Sequence, residues 1–381
     1  MSDQRAYCAP TQDGCLRCQS THNASVCSDS AALVMTLEDN NASTTLCQLL
    51  DANTVAYEMY DNLVVIAHVR PQLSQIAAVL SAQLLPCTLS SISAAYAPQG
   101  ADTAAKRTAA LFLLKPLPQL LENAAHEWMR EVLDNDYLIS VFHAIVDIRT
   151  GTPYAYEALI RARVPHSQEL ISAPMIINAC EKLNLQHQLD QKARRTAIRC
   201  ASELDLGDAY IFINFLPNTV YDPKVCLRTT MEAAEQYKIP LSQLVLEVVE
   251  TEEIKDMARL SHILDYYRER GIGTAVDDMG AGFTSMEYLR VLRPDFVKMD
   301  RDVVREAEHN ALTRHEFEAT VRLAKELKCA VIAEGIETPA QAEMCRSIGV
   351  DYLQGFLFSK PANPPQPIAY DLSAAPLRAA A

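Results

Sequence analysis

From Tyr137 onward the chain repeats one pattern: a short apolar run rich in Val, Ile, Phe and Tyr, then a longer amphipathic stretch. The runs lie at 137–148, 154–164, 209–216, 243–250, 273–279, 295–300, 330–337 and 351–358. Helix-like segments fall between most of them, at 174–203, 223–237, 257–270, 311–327 and 339–348. Strands that are apolar along both faces are buried on both faces, and their alternation with helices predicts a parallel sheet. Eight strands over about 240 residues suit a closed barrel. The first two runs are separated only by Arg149–Pro153, too short for a crossover helix, so that pair is expected as an antiparallel hairpin. The expected fold is therefore α/β, a TIM-like (β/α)8 barrel with one antiparallel strand.

Polar residues interrupt these runs where a packed core would exclude them. They are Glu157, Asn214, Glu247, Asp277, Asp278, Lys298, Glu334 and Gln354, with Glu250 closing the fourth run. In barrels of this kind the chemistry lies at the C-terminal ends of the strands. A buried carboxylate is costly unless it is paired or bound to a metal, and so many on successive strands would repel unless cations sit among them. Any one of these residues would also suit a helix cap or an exposed strand end; the set as a whole does not. The donors are hard oxygens, with no His or Cys in these motifs, which favours Mg2+ or Mn2+ over Zn2+. Adjacent Asp277 and Asp278 suit a bridge between two ions. A two-ion site activates water and neutralises a phosphoryl oxygen during in-line displacement. Gly280 and Gly282, just beyond, suggest a tight loop that brings backbone close to the site. Lys298 reads either as a group that holds a nucleophilic water or as an internal salt-bridge partner.

Composition narrows the partners. Apolar residues make up 49% and charged residues 22%, as in ordinary globular proteins. No apolar run reaches the roughly 18 residues of a membrane span. Met1–Arg17 has no basic-then-apolar pattern, so no signal peptide is expected and the expected location is the cytoplasm. Thirty-four Lys and Arg against 48 Asp and Glu give a formal charge of -14, which argues against binding duplex nucleic acid.

Together these segments resemble the EAL family of cyclic di-GMP phosphodiesterases, from about His126 to Pro361. The resemblance rests on Glu157-Ala158-Leu159-Ile160-Arg161, Asn214-Phe215-Leu216-Pro217, Glu247-Val248-Val249-Glu250 and Asp277-Asp278-Met279-Gly280-Ala281-Gly282-Phe283-Thr284-Ser285. Lys298-Met299-Asp300, Ala333-Glu334-Gly335-Ile336-Glu337-Thr338 and Gln354-Gly355-Phe356 complete it. It implies a TIM-like barrel with one antiparallel strand, which opens cyclic di-GMP to linear 5′-pGpG. Glu157, Asn214, Glu247 and Asp277 would hold one ion, and Asp277, Asp278 and Glu334 the second. Lys298 would position the attacking water, Arg161 would contact a substrate phosphate, and Gln354 would line the site. Glu250 would anchor the loop 278–285, which in the family helps metal binding and often dimerisation, so a homodimer is expected. The chain departs from the family pattern at three places. His143-Ala144 stands where Gln-Pro is usual, Leu216 where Ser is usual, and Met279 where an aromatic is usual. His143 either hydrogen-bonds guanine or fills space. None of the three removes a metal ligand. Degenerate relatives that only bind cyclic di-GMP and signal to a partner typically lose such ligands; this chain keeps the set. A receptor role is the alternative reading, and hydrolysis of linear pGpG or another dinucleotide would use the same site.

The N-terminal third carries no Gly-Gly-Asp/Glu-Glu-Phe motif, which excludes diguanylate cyclase activity. Residues 1–30 form a cysteine-rich segment whose Cys8, Cys15, Cys18 and Cys27 read either as ligands of Zn2+ or an iron–sulfur centre or as reduced thiols on a flexible end. Residues 31–120 read as a small α+β regulatory or dimerisation module. Strands are expected at 32–37, 55–60, 63–69 and 90–96, with helices at 44–50 and 73–84, an order that suggests a ferredoxin-like unit. The barrel is then expected over 121–365, with a flexible tail at 366–381.

Overall fold

A computed structural model describes residues 10–11, 14–15, 32–37, 40–66, 69, 73–97, 110–111, 113–163, 169–220, 223–248, 256–280 and 286–372. It divides into two compact units, Met1–Asn135 with Ile177–Leu185, and Asp136–Ile176 with Gln186–Ala381.

In the first unit, β1 (Pro10–Thr11) and β2 (Gly14–Cys15) form a short antiparallel pair. A separate sheet contains β3 (Ala32–Leu37), β4 (Glu58–Tyr60), β5 (Leu63–Ile66), β6 (Ile92–Ala97) and β7 (Lys115–Pro116). Its order is β4-β5-β3-β6-β7, and every neighbour is antiparallel. Helix Asn40–Ala52 follows β3 and helix Leu73–Gln83 follows β5. That is a βαββαβ chain with its first strand central, the ferredoxin-like arrangement. Alternation divides the sheet's faces: Leu33, Met35, Val64 and Ile66 pack with Leu46, Leu50, Ile76 and Leu80, while Ala32, Val34, Val65 and Ala95 form a second cluster. The strand expected from residue 55 begins only at Glu58, because Val55 closes the preceding helix. Its N–H donates to Leu50 O at 2.9 Å after Thr54 turns through φ 58°.

The second unit is the barrel. Its strands are β8 (Leu138–Asp147), β9 (Pro153–Arg163), β11 (Tyr210–Phe215), β12 (Leu244–Val248), β13 (Gly273–Met279), β14 (Phe296–Met299), β15 (Ala330–Ala333) and β16 (Tyr352–Gln354). A two-residue β10 (Leu170–Ile171) adds to β9 from outside the ring. The eight close into a cylinder through the β16–β8 and β8–β9 pairings. β8 runs antiparallel to both neighbours and the other pairings in the ring are parallel. The RTGTP connection makes the tight turn expected of it: Gly151, at φ 70°, donates to Asp147 O at 2.8 Å.

Each strand is covered twice, which is why it reads as a continuous apolar run. Outward residues Ile211, Ile213, Phe215, Leu244 and Leu246 pack on Ala197, Ile198, Leu260 and Leu264 of the surrounding helices. Inward residues Ile145, Ala155, Phe212, Val245, Ala275, Phe296 and Ile332 form a layer of their own. Burying each large apolar side chain contributes about 1.5–3 kcal/mol. At the N-terminal ends of their strands, Tyr154, Tyr210, Tyr352 and Phe296 close the barrel, with the Tyr154 and Tyr352 rings stacked 4.1 Å apart. The long helical stretch expected at 174–203 is two helices, Ala173–Leu183 and Gln186–Ser202, because Asn184 takes φ 55° between them.

Candidate active site

The inward apolar layer locates the polar one. Side chains alternate along a strand, so two residues further toward the barrel mouth the same inward row continues. From Ala155, Phe212, Val245, Ala275, Phe296, Ile332 and Tyr352 the step leads to Glu157, Asn214, Glu247, Asp277, Lys298, Glu334 and Gln354. On β8, which runs the other way, Ile145 leads back to His143, the register partner of Glu157. One ring of polar groups thus sits on one ring of apolar ones, at the C-terminal ends of the parallel strands.

Lys298 lies at its centre, 1% exposed. Its Nζ is 2.5 Å from Glu334 Oε1, 2.6 Å from Glu247 Oε1, 3.3 Å from Asp277 Oδ1 and 3.5 Å from Glu157 Oε2. Glu157 also accepts from Asn214 Nδ2 at 3.1 Å and from Gln354 Nε2 at 2.9 Å. Both amides thereby turn their carbonyl oxygens away from Glu157, and neither Asn214 Oδ1 nor Gln354 Oε1 has a hydrogen-bond partner. Glu247 is fully buried; Oε1 keeps its charge contact with Lys298, but neither carboxylate oxygen accepts a hydrogen bond. Buried acceptors of this kind are costly and call for a ligand.

Asp277 and Asp278 occupy a break in regular pairing. The β13–β14 register shifts between Val276 and Met279, and Asp278 takes φ 52° while its N–H donates to Asp277 Oδ1 at 2.9 Å. In a regular strand consecutive side chains point to opposite faces; here Asp277, Asp278 and Glu334 each present a carboxylate oxygen within 4.8 Å of the others. Glu334 is held by backbone packing next to it. Ile336 N donates to Gln354 O at 3.0 Å, and Gly355 lies so close that a Cβ there would stand 2.1 Å from Ile336 O. Thr338 and Gln341 close a capping box on the helix Pro339–Ile348 that follows. These supports were not identified from the sequence; the Gly after Glu334 and the Gly after Gln354 were the available signals.

The charges are unbalanced. Five carboxylates (Glu157, Glu247, Asp277, Asp278 and Glu334) face one ammonium group, for a formal -4. Burial pushes Glu247 well above the ordinary carboxylate range, and Asp277 adds to the push. Burial lifts Glu334 to about 8, with Lys298 pulling down and Asp277 pushing up. Burial and the neighbouring Asp277 raise Asp278 to about 6. Glu157 differs: burial would raise it, but Lys298 and the two amides hold it below the usual value. For Lys298, burial is outweighed by Asp277, Glu157, Glu247 and Glu334, so it stays protonated. Two divalent cations would bring -4 to zero and supply partners for the orphaned oxygens, and the all-oxygen donor set fits hard ions.

The rim carries the remaining candidates. His143, 9% exposed, has Nε2 3.2 Å from Ser359 O, and burial keeps it below the usual histidine value despite the nearby Glu157. Phe356, 55% exposed, stands 6.0 Å from the His143 ring, and Lys360 Nζ lies 5.5 Å above Phe356. Arg161, near the outer end of β9, donates to Ile160 O at 2.7 Å. Glu250 and the loop segment 281–285 lie outside the described residues, as do Cys8, Cys18 and Cys27. Cys15 falls in β2, where the backbone alone is described.

The fold and this ring of residues define an EAL-type barrel. The profile of the EAL domain matches residues 126–361, and the chain belongs to the EAL domain family. Among its relatives, the cyclic di-GMP phosphodiesterase NbdA of Pseudomonas aeruginosa is 29% identical over 251 residues, 64% of this chain and 32% of NbdA. The chain thus spans about a third of that enzyme's length. A standalone versatile EAL protein from Vibrio cholerae O395 in its c-di-GMP bound form superposes with a TM-score of 0.57 at 29% identity, covering 62% of this chain and 98% of that one. The Bacillus subtilis YkuI protein, in complex with c-di-GMP and calcium, gives 0.54 at 27% identity over 62% and 58% of the two chains.

Proposed function

We propose that this protein hydrolyses cyclic di-GMP to linear 5′-pGpG, with Mg2+ or Mn2+ held in the ring described above. The observation that carries the reading is the set of oxygens left without a partner, Asn214 Oδ1, Gln354 Oε1 and Glu247 Oε2, in a pocket of five carboxylates. Glu157, Asn214, Glu247 and Asp277 would hold one ion, and Asp277, Asp278 and Glu334 the other. Bound there, the ions would neutralise phosphoryl oxygens and make water more acidic. The relatives' complexes with c-di-GMP support the choice of substrate.

The chain's own groups do the rest. Lys298 Nζ, a donor among acceptors, orients the attacking water by a hydrogen bond to its oxygen. Water adds to one phosphorus as the bond from that phosphorus to the 3′ oxygen breaks; the attacking water gives up one proton to solvent and the departing 3′ oxygen takes one from solvent, so the products are a 5′ phosphate and a free 3′ hydroxyl. Asn214 and Gln354 hold Glu157 through their amides, so its carboxylate cannot rotate away. Arg161 meets a substrate phosphate, and Phe356 with His143 offers a face for a base. The first unit acts as a regulatory module. A homodimer belongs to the same reading.

Purified protein incubated with cyclic di-GMP and Mg2+ and then chromatographed should yield pGpG, and a chelator should stop it. Glu157→Ala should abolish turnover. Tight binding of cyclic di-GMP without product would make the protein a receptor instead.

A further inference from the structure

Behind β11, on the side facing the helices, lies a second buried set of charges that this chemistry leaves unused. Asp190 and Arg194 stand one turn apart on the helix Gln186–Ser202, 5% and 1% exposed, and pair with each other. Asp190 Oδ1 accepts from Leu216 N at 3.0 Å, and Oδ2 accepts from Thr219 Oγ1 at 3.0 Å as well as from Arg194. Arg194 is itself oriented, donating from Nε to Thr230 Oγ1 at 2.9 Å and from Nη2 to Cys226 O at 3.5 Å. His187, one turn earlier, has Nδ1 2.9 Å from Thr219 O.

An ion pair this deep is no more stabilising than well-packed apolar side chains of similar volume. What it supplies is direction. Asp190's bonds to the loop end on Leu216 and Thr219, at the two ends of the turn Pro217–Thr219, which begins three residues after Asn214. Asn214 needs such support. Its Nδ2 bonds Glu157, but no bond holds Oδ1, the atom that faces the proposed ion. The aim of that oxygen depends on where the backbone leaves β11.

We propose that Asp190 is a positioning residue for Asn214: by accepting from Leu216 N it fixes the exit of β11 and so aims Asn214 Oδ1 into the carboxylate ring. This inference rests on the function proposed above. Partners one step behind a metal ligand typically control metal affinity by about 10–100-fold.

Two double variants test it. D190N/R194M removes the ion pair but keeps an acceptor for Leu216 N–H, whereas D190V/R194M removes both. Each is expected to fold, as apolar replacements of buried pairs do. In D190V/R194M the Leu216 amide should exchange faster and Mn2+ affinity should fall by about tenfold, with kcat for cyclic di-GMP falling in step and KM little changed. D190N/R194M should keep Mn2+ affinity within about twofold of wild type, a rescue by the conservative change. Retained Leu216 protection in D190V/R194M overturns the proposal, and so does lost protection with wild-type Mn2+ affinity. If the wild type itself fails to bind Mn2+, the functional reading falls, and the aiming of Asn214 at an ion falls with it; the exchange measurement separates that failure from a failure of Asp190 to hold the turn.

Discussion

Lys298 shows how a single side chain stabilises an otherwise repulsive pocket. A buried cation contacts four carboxylates, and its removal would leave them uncompensated. Lys298→Met should abolish turnover and destabilise the metal-free protein by about 3 kcal/mol, with Mg2+ recovering part of the loss; denaturant titration with and without Mg2+ measures both. The pH dependence follows from the raised acids. Glu334 moves from 4.5 to about 8 and Asp278 from 3.8 to about 6, so across that window the folded state binds more protons than the unfolded state. Stability from these groups is full below their unfolded values and is lost as pH rises through the folded ones. The depressed Glu157 acts only at lower pH and the raised Lys298 only at higher pH. His143 and His187, lowered by burial, act in the opposite direction below their ordinary value of 6.5, so the melting temperature of the metal-free protein should fall between about pH 6.5 and 8, and the stabilisation by Mg2+ should grow over the same range, since ions displace those protons. A melting temperature that rises across that range would contradict the assigned burial of Glu334. At this scale most of the site was legible in the sequence, because a carboxylate in an apolar strand has few other uses. What it did not disclose was that Gln354 bonds Glu157, since sequence carries no rotamer.

At the level of elements, strand cores were readable and strand ends were not. Runs expected at 330–337 and 351–358 pair only over Ala330–Ala333 and Tyr352–Gln354. Apolar character continues past each end because Ile336 and Phe358 pack into the same core from loops. The helices Met286–Leu292 and Arg301–Ala307 were missed for the opposite reason: seven residues are too few for a 3.6-residue period to stand out. The irregularity in β13 that brings Asp277 and Asp278 together also has no periodic signature. Loop packing gives its own prediction. Gly355→Ala would drive a methyl group into the Ile336 peptide, 2.1 Å from its oxygen, and displace Glu334 through the Ile336–Gln354 hydrogen bond. Turnover should drop by about a hundredfold while far-ultraviolet circular dichroism stays unchanged, since about 1 Å of misplacement has that effect on a site. Wild-type turnover in this variant would show that the contact does not position Glu334.

Across the whole molecule, the site belongs to no single segment. Residues from β9, β11, β12, β13, β14 and β16, with Glu334 just past the end of β15, meet there, so anything that binds it ties the cylinder together. A divalent cation at a hundredfold its dissociation constant should add about 2.7 kcal/mol to barrel stability. Calorimetry should show that gain in the barrel transition, and alanine at both Asp277 and Asp278 should remove most of it. The barrel was legible because burial on both faces writes an unbroken apolar run, whereas the small first unit offers only short alternations, of which β7 was not seen at all. Beneath the polar ring the barrel is filled, first by the inward apolar layer and then by Tyr154, Tyr210, Tyr352 and Phe296, so under the function proposed above a dinucleotide and its product would enter and leave by the same mouth, at the C-terminal ends of the strands.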